Sequence, residues 1–153
     1  MKRIAACEAG GASSKHPMKL DDSAYEGLAG FRKAMRRFLA FSETRLKAVG
    51  ITSQQYQAML AIRVHPGQVI MIGELAREML LRPNGAVQLT DRLVDAGLAE
   101  RRQSSFDRRS VLVALTSKGA RLLENLAADH LHGMLEQEQL LAESLKRLRR
   151  LSR

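Results

Sequence analysis

Two amide side chains that can recognise the edge of a base pair lie one helical turn apart near the middle of the chain. Asn84 and Gln88 are four positions apart, so on a helix both side chains point the same way. Each amide can donate one hydrogen bond and accept another, which is the pattern that adenine presents in the major groove of DNA. A helix that exposes this pair could therefore contact the base edges of duplex DNA.

Small and basic residues surround this amide pair. Gly85 allows close approach, and Val87 can contact a thymine methyl group. Arg92 follows one turn later and can bind a phosphate, or it can pair with Asp91 or Asp95. The alternative for each of these residues, taken singly, is an ordinary exposed position on a helix.

A second basic group follows in a polar turn, residues 104–109. The turn ends in Asp107, Arg108 and Arg109. Arginines bind phosphates and enter narrow minor grooves, so Arg108 and Arg109 are predicted to contact DNA. Arg109 can instead pair with Asp107 and hold the turn, which leaves Arg108 as the freer of the two.

Two short helices and a β-hairpin must position these groups. Apolar spacing predicts one helix over residues 72 to about 80 and a second from Pro83 to about 96, with Gly97 as its left-handed stop. Residues 98–103 and 110–115 are predicted strands, and in the second strand Val111, Val113 and Leu115 point one way. Helix, turn, helix and hairpin together form a winged helix-turn-helix.

Five fragments in this stretch resemble the MarR family of regulators in their order and spacing. They are Gly73-Glu74-Leu75-Ala76, Leu89-Thr90-Asp91-Arg92-Leu93, Ala96-Gly97-Leu98, Asp107-Arg108-Arg109 and Leu115-Thr116-Ser117-Lys118-Gly119. The resemblance implies a dimeric bacterial transcriptional regulator, mainly α with a small β-hairpin wing. Its winged helix-turn-helix would span about 52–115, between dimerisation helices at about 23–49 and 116–152.

The flanking segments carry the apolar spacing that such dimerisation helices need. Ser23 is the expected cap of the first helix, Thr52 and Gln55 form a capping box for the next, and Gly133 is expected to kink or split the last. The candidate dimerisation residues are Leu28, Phe31, Met35, Leu141, Leu145 and Leu148.

Members of the resembled family often bind small anionic aromatic compounds between the dimerisation helices and the DNA-binding lobe. The side chains that would line this cleft here supply apolar surface, one cation and one hydroxyl. They are Phe38, Phe41, Arg45, Tyr56 and Met59. The alternative is that Phe38, Tyr56 and Met59 belong to the core and that Arg45 is solvated.

Composition places these features in a single basic domain over residues 21–153, after a flexible tail at 1–20. The 153-residue chain has a formal net charge of +9, which favours a polyanionic partner over a merely basic surface. The chain has one cysteine, Cys7, so an intramolecular disulfide is excluded. Cys7 is either an oxidant sensor, as in some members of the resembled family, or an incidental thiol. No apolar run approaches the ~20 residues of a membrane span, so a cytoplasmic protein is expected.

Motifs typical of enzymes and metal sites do not occur in the sequence. His130 and His132 would diverge by about 200° on a helix and cannot easily share a metal. We therefore expect no catalytic site, no metal and no cofactor. The sequence predicts a DNA-binding regulator that reads a palindromic operator as a homodimer. The resemblance to the MarR family implies that this regulator is a repressor and that a small aromatic ligand releases it from DNA.

Two other functions are compatible with the sequence. A winged-helix dimer can bind another regulator rather than DNA. An RNA-binding winged helix needs exposed aromatic residues for stacking, and only Phe106 is suitably placed. The sequence does not specify the operator, the regulated genes or the effector.

Overall fold

Helices dominate the part of the chain that the structure describes. The computed structural model describes residues 20–103 and 110–150. In chain order the elements are α1 (Asp22–Ala48), α2 (Ser53–Val64), a 3₁₀ turn (Pro66–Gln68), β1 (Val69–Met71), α3 (Ile72–Glu78), α4 (Pro83–Asp95), β2 (Ala99–Gln103), β3 (Val111–Leu115), α5 (Ser117–Leu135) and α6 (Glu138–Arg149). The predicted mainly α fold with a small β wing is confirmed.

Side-chain caps fix where the long helices begin. Asp21 accepts a hydrogen bond from a first-turn backbone N–H at 2.9 Å, so Asp21 caps α1 and the expectation for Ser23 is wrong. Thr52 and Gln55 exchange two hydrogen bonds, of 2.8 and 3.2 Å, in the predicted capping box of α2. Thr116 caps α5. These caps fix the first residues of α1, α2 and α5.

The sheet contains one strand more than the sequence predicts. Its antiparallel order is β1-β3-β2, and β1 has only three residues, too few to show an alternation. Central β3 pairs Val113 with Ile70 on one side and with Arg101 on the other. Because β1 ends opposite Leu112, Val111 lies beyond it and is exposed, although the alternation groups Val111 with buried Val113.

One apolar core joins the first helix to the helix-turn-helix and the sheet. Its members come from α1, α2, β1, α3, α4, β2, β3 and α5, so the core fixes α4 relative to the rest of this lobe. The largest fully buried apolar side chains are Leu46, Met59, Ile62, Ile70, Leu75, Leu93 and Val113.

The C-terminal segment, predicted to span about 116–152 with a kink or split at Gly133, forms two helices. The break falls between Leu135 and Glu138, whereas Gly133 lies inside α5. A β-carbon at Gly133 would overlap the ring of Phe41 on α1. The expected kink at Gly133 is therefore wrong, and this glycine instead allows α5 to pack closely on α1.

Three helices end in the same left-handed turn. The residue after the cap has a positive φ, +73° at Gly50, +53° at Leu80 and +68° at Gly97. In each turn the following N–H donates to the carbonyl five residues earlier, as in the Schellman motif. These bonds are Ile51 to Leu46 (3.2 Å), Leu81 to Ala76 (2.8 Å) and Leu98 to Leu93 (2.9 Å). The predicted helix stop at Gly97 is confirmed.

Candidate nucleic-acid interface

Helix α4 presents one exposed face made of amide, aliphatic and basic side chains. Asn84, Val87, Gln88 and Arg92 are exposed, and Gly85 beside them is half-buried. The opposite face is buried and consists of Ala86, Leu89, Thr90 and Leu93. The candidate residues chosen from the sequence thus lie together on the accessible side of the helix.

The buried face of α4 is held without leaving a polar group unpaired. Thr90 is fully buried, and its hydroxyl donates to the Ala86 carbonyl at 2.8 Å. Leu89 and Leu93 pack in the core. Pro83 begins the helix, where a missing N–H costs nothing. The exposed amides therefore project from a rigid support, which specific recognition requires.

An ion pair ties α4 to the neighbouring strand. Arg101 on β2 donates to the carboxylate of Asp91 at 2.6 Å. The suggestion that Arg92 pairs with Asp91 is therefore wrong, because Asp91 already has a partner. Across residues 20–103 and 110–150, neither Arg92 nor Asp95 forms an ion pair, so Arg92 is available to bind an anion.

A further basic residue, Arg82, lies at this surface and was not among the contacts predicted from the sequence. Arg82 is exposed and occupies the position before α4, and in the described part of the chain it makes no ion pair or side-chain hydrogen bond. Its position immediately before Pro83 was the available signal, because a residue at the start of such a helix faces the same groove as Asn84. Arg77 on α3 is also exposed and lies 3.9 Å from Glu74.

A groove of about 380 Å³ separates α3 and α4 from the base of the wing. It is lined by Met71, Val87 and Val111, with Glu74 and Arg77 at one side. The predicted wing contacts, Arg108 and Arg109, lie outside the described residues, as do Asp107 and Phe106. Their contact with DNA stays a prediction.

The residues predicted to bind an effector converge on a buried histidine. The ring of Tyr56 stacks on His130 with centroids 4.3 Å apart, and Phe38 and Phe41 approach it edge-on at 6.0 and 6.2 Å. Ser42 and the Leu126 carbonyl occupy the two ring nitrogens of His130, at 2.8 and 2.7 Å. In this arrangement the imidazole fills the space between the aromatic rings.

The two remaining effector candidates have different surroundings. Met59 is fully buried in the core. Arg45 is about half exposed, lies 5.5 Å above the centre of the Phe41 ring, and is 3.6 Å from Asp129 on α5. Burial also raises the pKa of the Tyr56 hydroxyl above its ordinary value of 10.0. The sequence does not predict the place of His130 in this aromatic cluster, because a lone histidine on a helix carries no signal of burial.

The candidate dimerisation residues divide between exposed and partly buried positions. Leu28, Met35 and Leu145 are exposed, whereas Phe31, Leu141 and Leu148 are half-buried within the chain. Leu148 lies against Gly27, so it packs α6 on α1 of the same chain. Further exposed apolar side chains on α1 and α5 extend this surface, namely Leu39, Leu131, Met134 and Leu135.

Residues 20–103 and 110–150 show neither a candidate membrane-spanning helix nor a candidate metal-binding cluster. None of their helices combines the length and the apolar character that spanning a bilayer requires. Nor do His, Cys, Asp and Glu side chains gather anywhere in these ranges in a group that could hold a metal ion.

Comparison with known proteins points to one family. The family model described as MarR family matches residues 49–110, which cover most of the helix-turn-helix and the wing. The chain is 32% identical over 88 residues to the uncharacterised HTH-type transcriptional regulator YhbI of Bacillus subtilis (strain 168), a match covering 58% of this chain and 56% of that relative.

A second relative and a solved structure extend the similarity. The organic hydroperoxide resistance transcriptional regulator of the same bacterium is 31% identical over 104 residues, or 68% of this chain and 69% of the relative. A mutant MarR from E. coli, solved in complex with operator DNA, superposes with a TM-score of 0.56 at 27% identity, covering 76% of this chain and 78% of that one.

Proposed function

We propose that this chain, which belongs to the MarR family of transcriptional regulators, is a homodimeric repressor that binds a palindromic DNA operator. The observation that carries the proposal is the exposed face of α4. There Asn84 and Gln88 lie together, and Arg82 and Arg92 flank them without ion pairs within the described residues. Amides bind base edges and arginines bind phosphates, so this face suits the major groove.

Charge and family membership support the same function. A formal net charge of +9 favours binding to a polyanion. The similar MarR from E. coli was solved with operator DNA on a comparable winged fold. The relatives that match are transcriptional regulators rather than enzymes, and nothing about α4 favours a purely protein-binding module. Bacterial DNA lies in the cytoplasm, which is where we place the protein.

The apolar surface that a single chain leaves uncovered supports the proposed dimer. Leu39 on α1 is 52% exposed, Leu131 on α5 is 59% exposed and Leu145 on α6 is 41% exposed. A second copy would remove such side chains from water. Two copies of α4 related by a two-fold axis would contact half-sites ~34 Å apart, which requires a palindromic operator.

Release by a small anionic aromatic compound is the regulatory part of the proposal. Phe38, Phe41 and Tyr56 supply aromatic surface, and Arg45 supplies a cation. His130 fills the space between the rings, so a ligand must displace or rearrange it. A thermal-shift screen of benzoic and phenolic acids, followed by competition with DNA, tests this part. If no compound in the screen both stabilises the protein and releases DNA, this part of the proposal is refuted.

Selection of bound sequences from random duplexes tests DNA recognition. We expect an enriched palindrome whose affinity exceeds that of random DNA at every salt concentration. Asn84→Ala and Gln88→Ala should each cost ~1–3 kcal/mol of binding at one base pair. The matched control is Gln54→Ala, which removes an exposed amide from α2. Absence of an enriched sequence, or equal losses in Gln54→Ala, would refute the assignment.

A further inference from the structure

The turn between α3 and α4 differs from the two similar turns in this chain. All three end a helix in the left-handed conformation, but glycine occupies that position at Gly50 and Gly97, and leucine occupies it at Leu80. Leu80 completes the turn through its own N–H, which donates to the Arg77 carbonyl at 3.2 Å. The backbone conformation of this turn therefore favours glycine, but the residue at that position is leucine.

Packing within the chain does not account for the leucine. A residue with a β-carbon is disfavoured in the left-handed region, where glycine has no such penalty. Leu80 is 93% exposed, the largest exposure of any large apolar side chain in the described residues. Leu81, by contrast, is partly buried against the core and anchors the turn. Leu80 thus has an unfavourable backbone conformation and an apolar side chain in water.

The position of Leu80 indicates what its side chain can contact. It precedes Pro83, the first residue of α4, by three positions and so lies at the same end of the helix as Asn84. In a helix-turn-helix this end of the second helix is the part that contacts base edges. Arg77 and Arg82 on either side are exposed cations suited to phosphates.

We propose that Leu80 is a specificity-determining residue that packs against the C5-methyl group of a thymine in each operator half-site. The thymine methyl is the apolar feature of the major groove, and aliphatic side chains recognise it. The inference rests on the proposed function and adds a base preference to it. The side chain leaves water only when DNA is bound, so the contact contributes to affinity while the free protein retains the unfavourable conformation at Leu80.

A pair of substitutions separates the side chain from the backbone. Leu80→Ala removes the apolar contact and keeps a β-carbon in the left-handed conformation, whereas Leu80→Gly removes both. Both variants should bind the selected operator about fourfold more weakly per half-site, the equivalent of ~0.8 kcal/mol for one buried methyl. Leu80→Gly alone should raise the Tm, by roughly 2–4 °C for each kcal/mol of strain relieved.

Replacing each operator thymine in turn by deoxyuridine locates the contact. Wild type should lose about fourfold in affinity at one thymine per half-site, the same ~0.8 kcal/mol, and neither Leu80 variant should respond there. Val64→Ala, which removes another exposed apolar side chain, should respond as wild type does. Leu80 variants that keep wild-type affinity overturn the inference. Variants that weaken binding but respond to deoxyuridine as wild type does overturn the thymine assignment and indicate a contact with sugar or with another protein.

These outcomes are distinguishable from failure of the proposed function. If wild type selects no sequence from random duplexes, both the repressor function and the role of Leu80 are wrong. If wild type selects a palindrome and loses affinity through Asn84→Ala while the Leu80 variants are unchanged, only the role of Leu80 is wrong.

Discussion

The carboxylate of Asp91 on α4 accepts a hydrogen bond from the guanidinium of Arg101 on β2 at 2.6 Å. The two side chains are 47% and 37% exposed, so solvent screens the pair and its contribution to stability is below ~1 kcal/mol. The greater effect is local electrostatics. The pair neutralises one anion and one cation beside the exposed face of α4, and it orients the wing strand relative to that helix.

Removing Asp91 should strengthen binding to random DNA. Asp91→Ala deletes a negative charge near the proposed phosphate contacts and frees Arg101 to bind a phosphate, so the salt dependence should steepen by about 1. Asp95→Ala is the matched control, because it deletes the same charge and Asp95 has no ion pair in the described residues. Equal salt dependence in the two variants would mean that Arg101 does not reach a phosphate.

A pair of glycines should respond to alanine in opposite directions. A β-carbon at Gly119 would overlap the backbone carbonyl of Leu98, which cannot move without disturbing the turn after α4. Gly119→Ala should therefore destabilise the protein by at least ~1–3 kcal/mol. At Gly73 on α3 a β-carbon meets nothing within 4 Å, so Gly73→Ala should stabilise the helix by ~0.5–1 kcal/mol. Urea denaturation measures both, and an equal response would contradict the packing at Gly119.

Local signals explain what the sequence predicted well. Pro83 and Gly97 mark the ends of α4, and the spacing of Leu89 and Leu93 fixes which face is buried, so the exposed residues follow directly. The Thr52 capping box is equally local. These features involve residues a few positions apart, which a sequence shows without knowledge of the fold.

Contacts between distant residues explain what the sequence could not predict. His130 meets Ser42 across 88 positions, and nothing near either residue in the chain signals that bond. Strand β1 exists because β3 lies beside it, since three residues carry no recognisable pattern of their own. Gly133 was expected to break a helix, but its role depends on Phe41 from the other end of the chain.

Charge on the uncovered apolar surface should dissociate the proposed dimer without unfolding the chain. Leu145 is exposed on α6, so Leu145→Asp costs little in a single chain but would bury a carboxylate between two copies. Sedimentation should show a monomer whose circular dichroism matches wild type. Val64→Asp places the same charge at another exposed apolar position, and it should stay dimeric. A wild type that sediments as a folded monomer would refute the dimer.

Loss of the Ser42 hydroxyl should destabilise the junction of α1 and α5. The hydroxyl lies 2.8 Å from His130 Nε2, and both residues are buried, so Ser42→Ala leaves that nitrogen without a partner at a cost of ~1–3 kcal/mol. Thr44→Ala is the matched control, because it removes an exposed hydroxyl from the same helix. Thr44→Ser is a milder control that keeps the hydroxyl. Chemical denaturation should separate Ser42→Ala from Thr44→Ala by at least ~1 kcal/mol. Equal stability of the two variants would mean that the Ser42–His130 bond contributes nothing.

Alkaline pH should weaken the fold through Tyr56. Burial raises the pKa of its hydroxyl above 10.0, because the anion is poorly solvated beside His130. Below the unfolded-state pKa the hydroxyl is neutral in both states, and its contribution to stability is constant. As pH rises past the unfolded pKa, only the unfolded chain ionises, so the free energy of unfolding falls until the folded pKa is reached.

Two tyrosine variants make this dependence measurable. The chain has two tyrosines, so Tyr25→Phe leaves Tyr56 as the one tyrosine whose titration is followed by absorbance at alkaline pH. The Tyr56 hydroxyl should titrate above the reference value of about 10 in folded Tyr25→Phe, and this titration should be absent from Tyr56→Phe. Urea unfolding of Tyr56→Phe should also lose less stability than wild type as the pH is raised above about 10, the reference value for tyrosine. If Tyr56 in folded Tyr25→Phe titrates at the reference value, Tyr56 is accessible to water, and its stacking on His130 does not persist in solution.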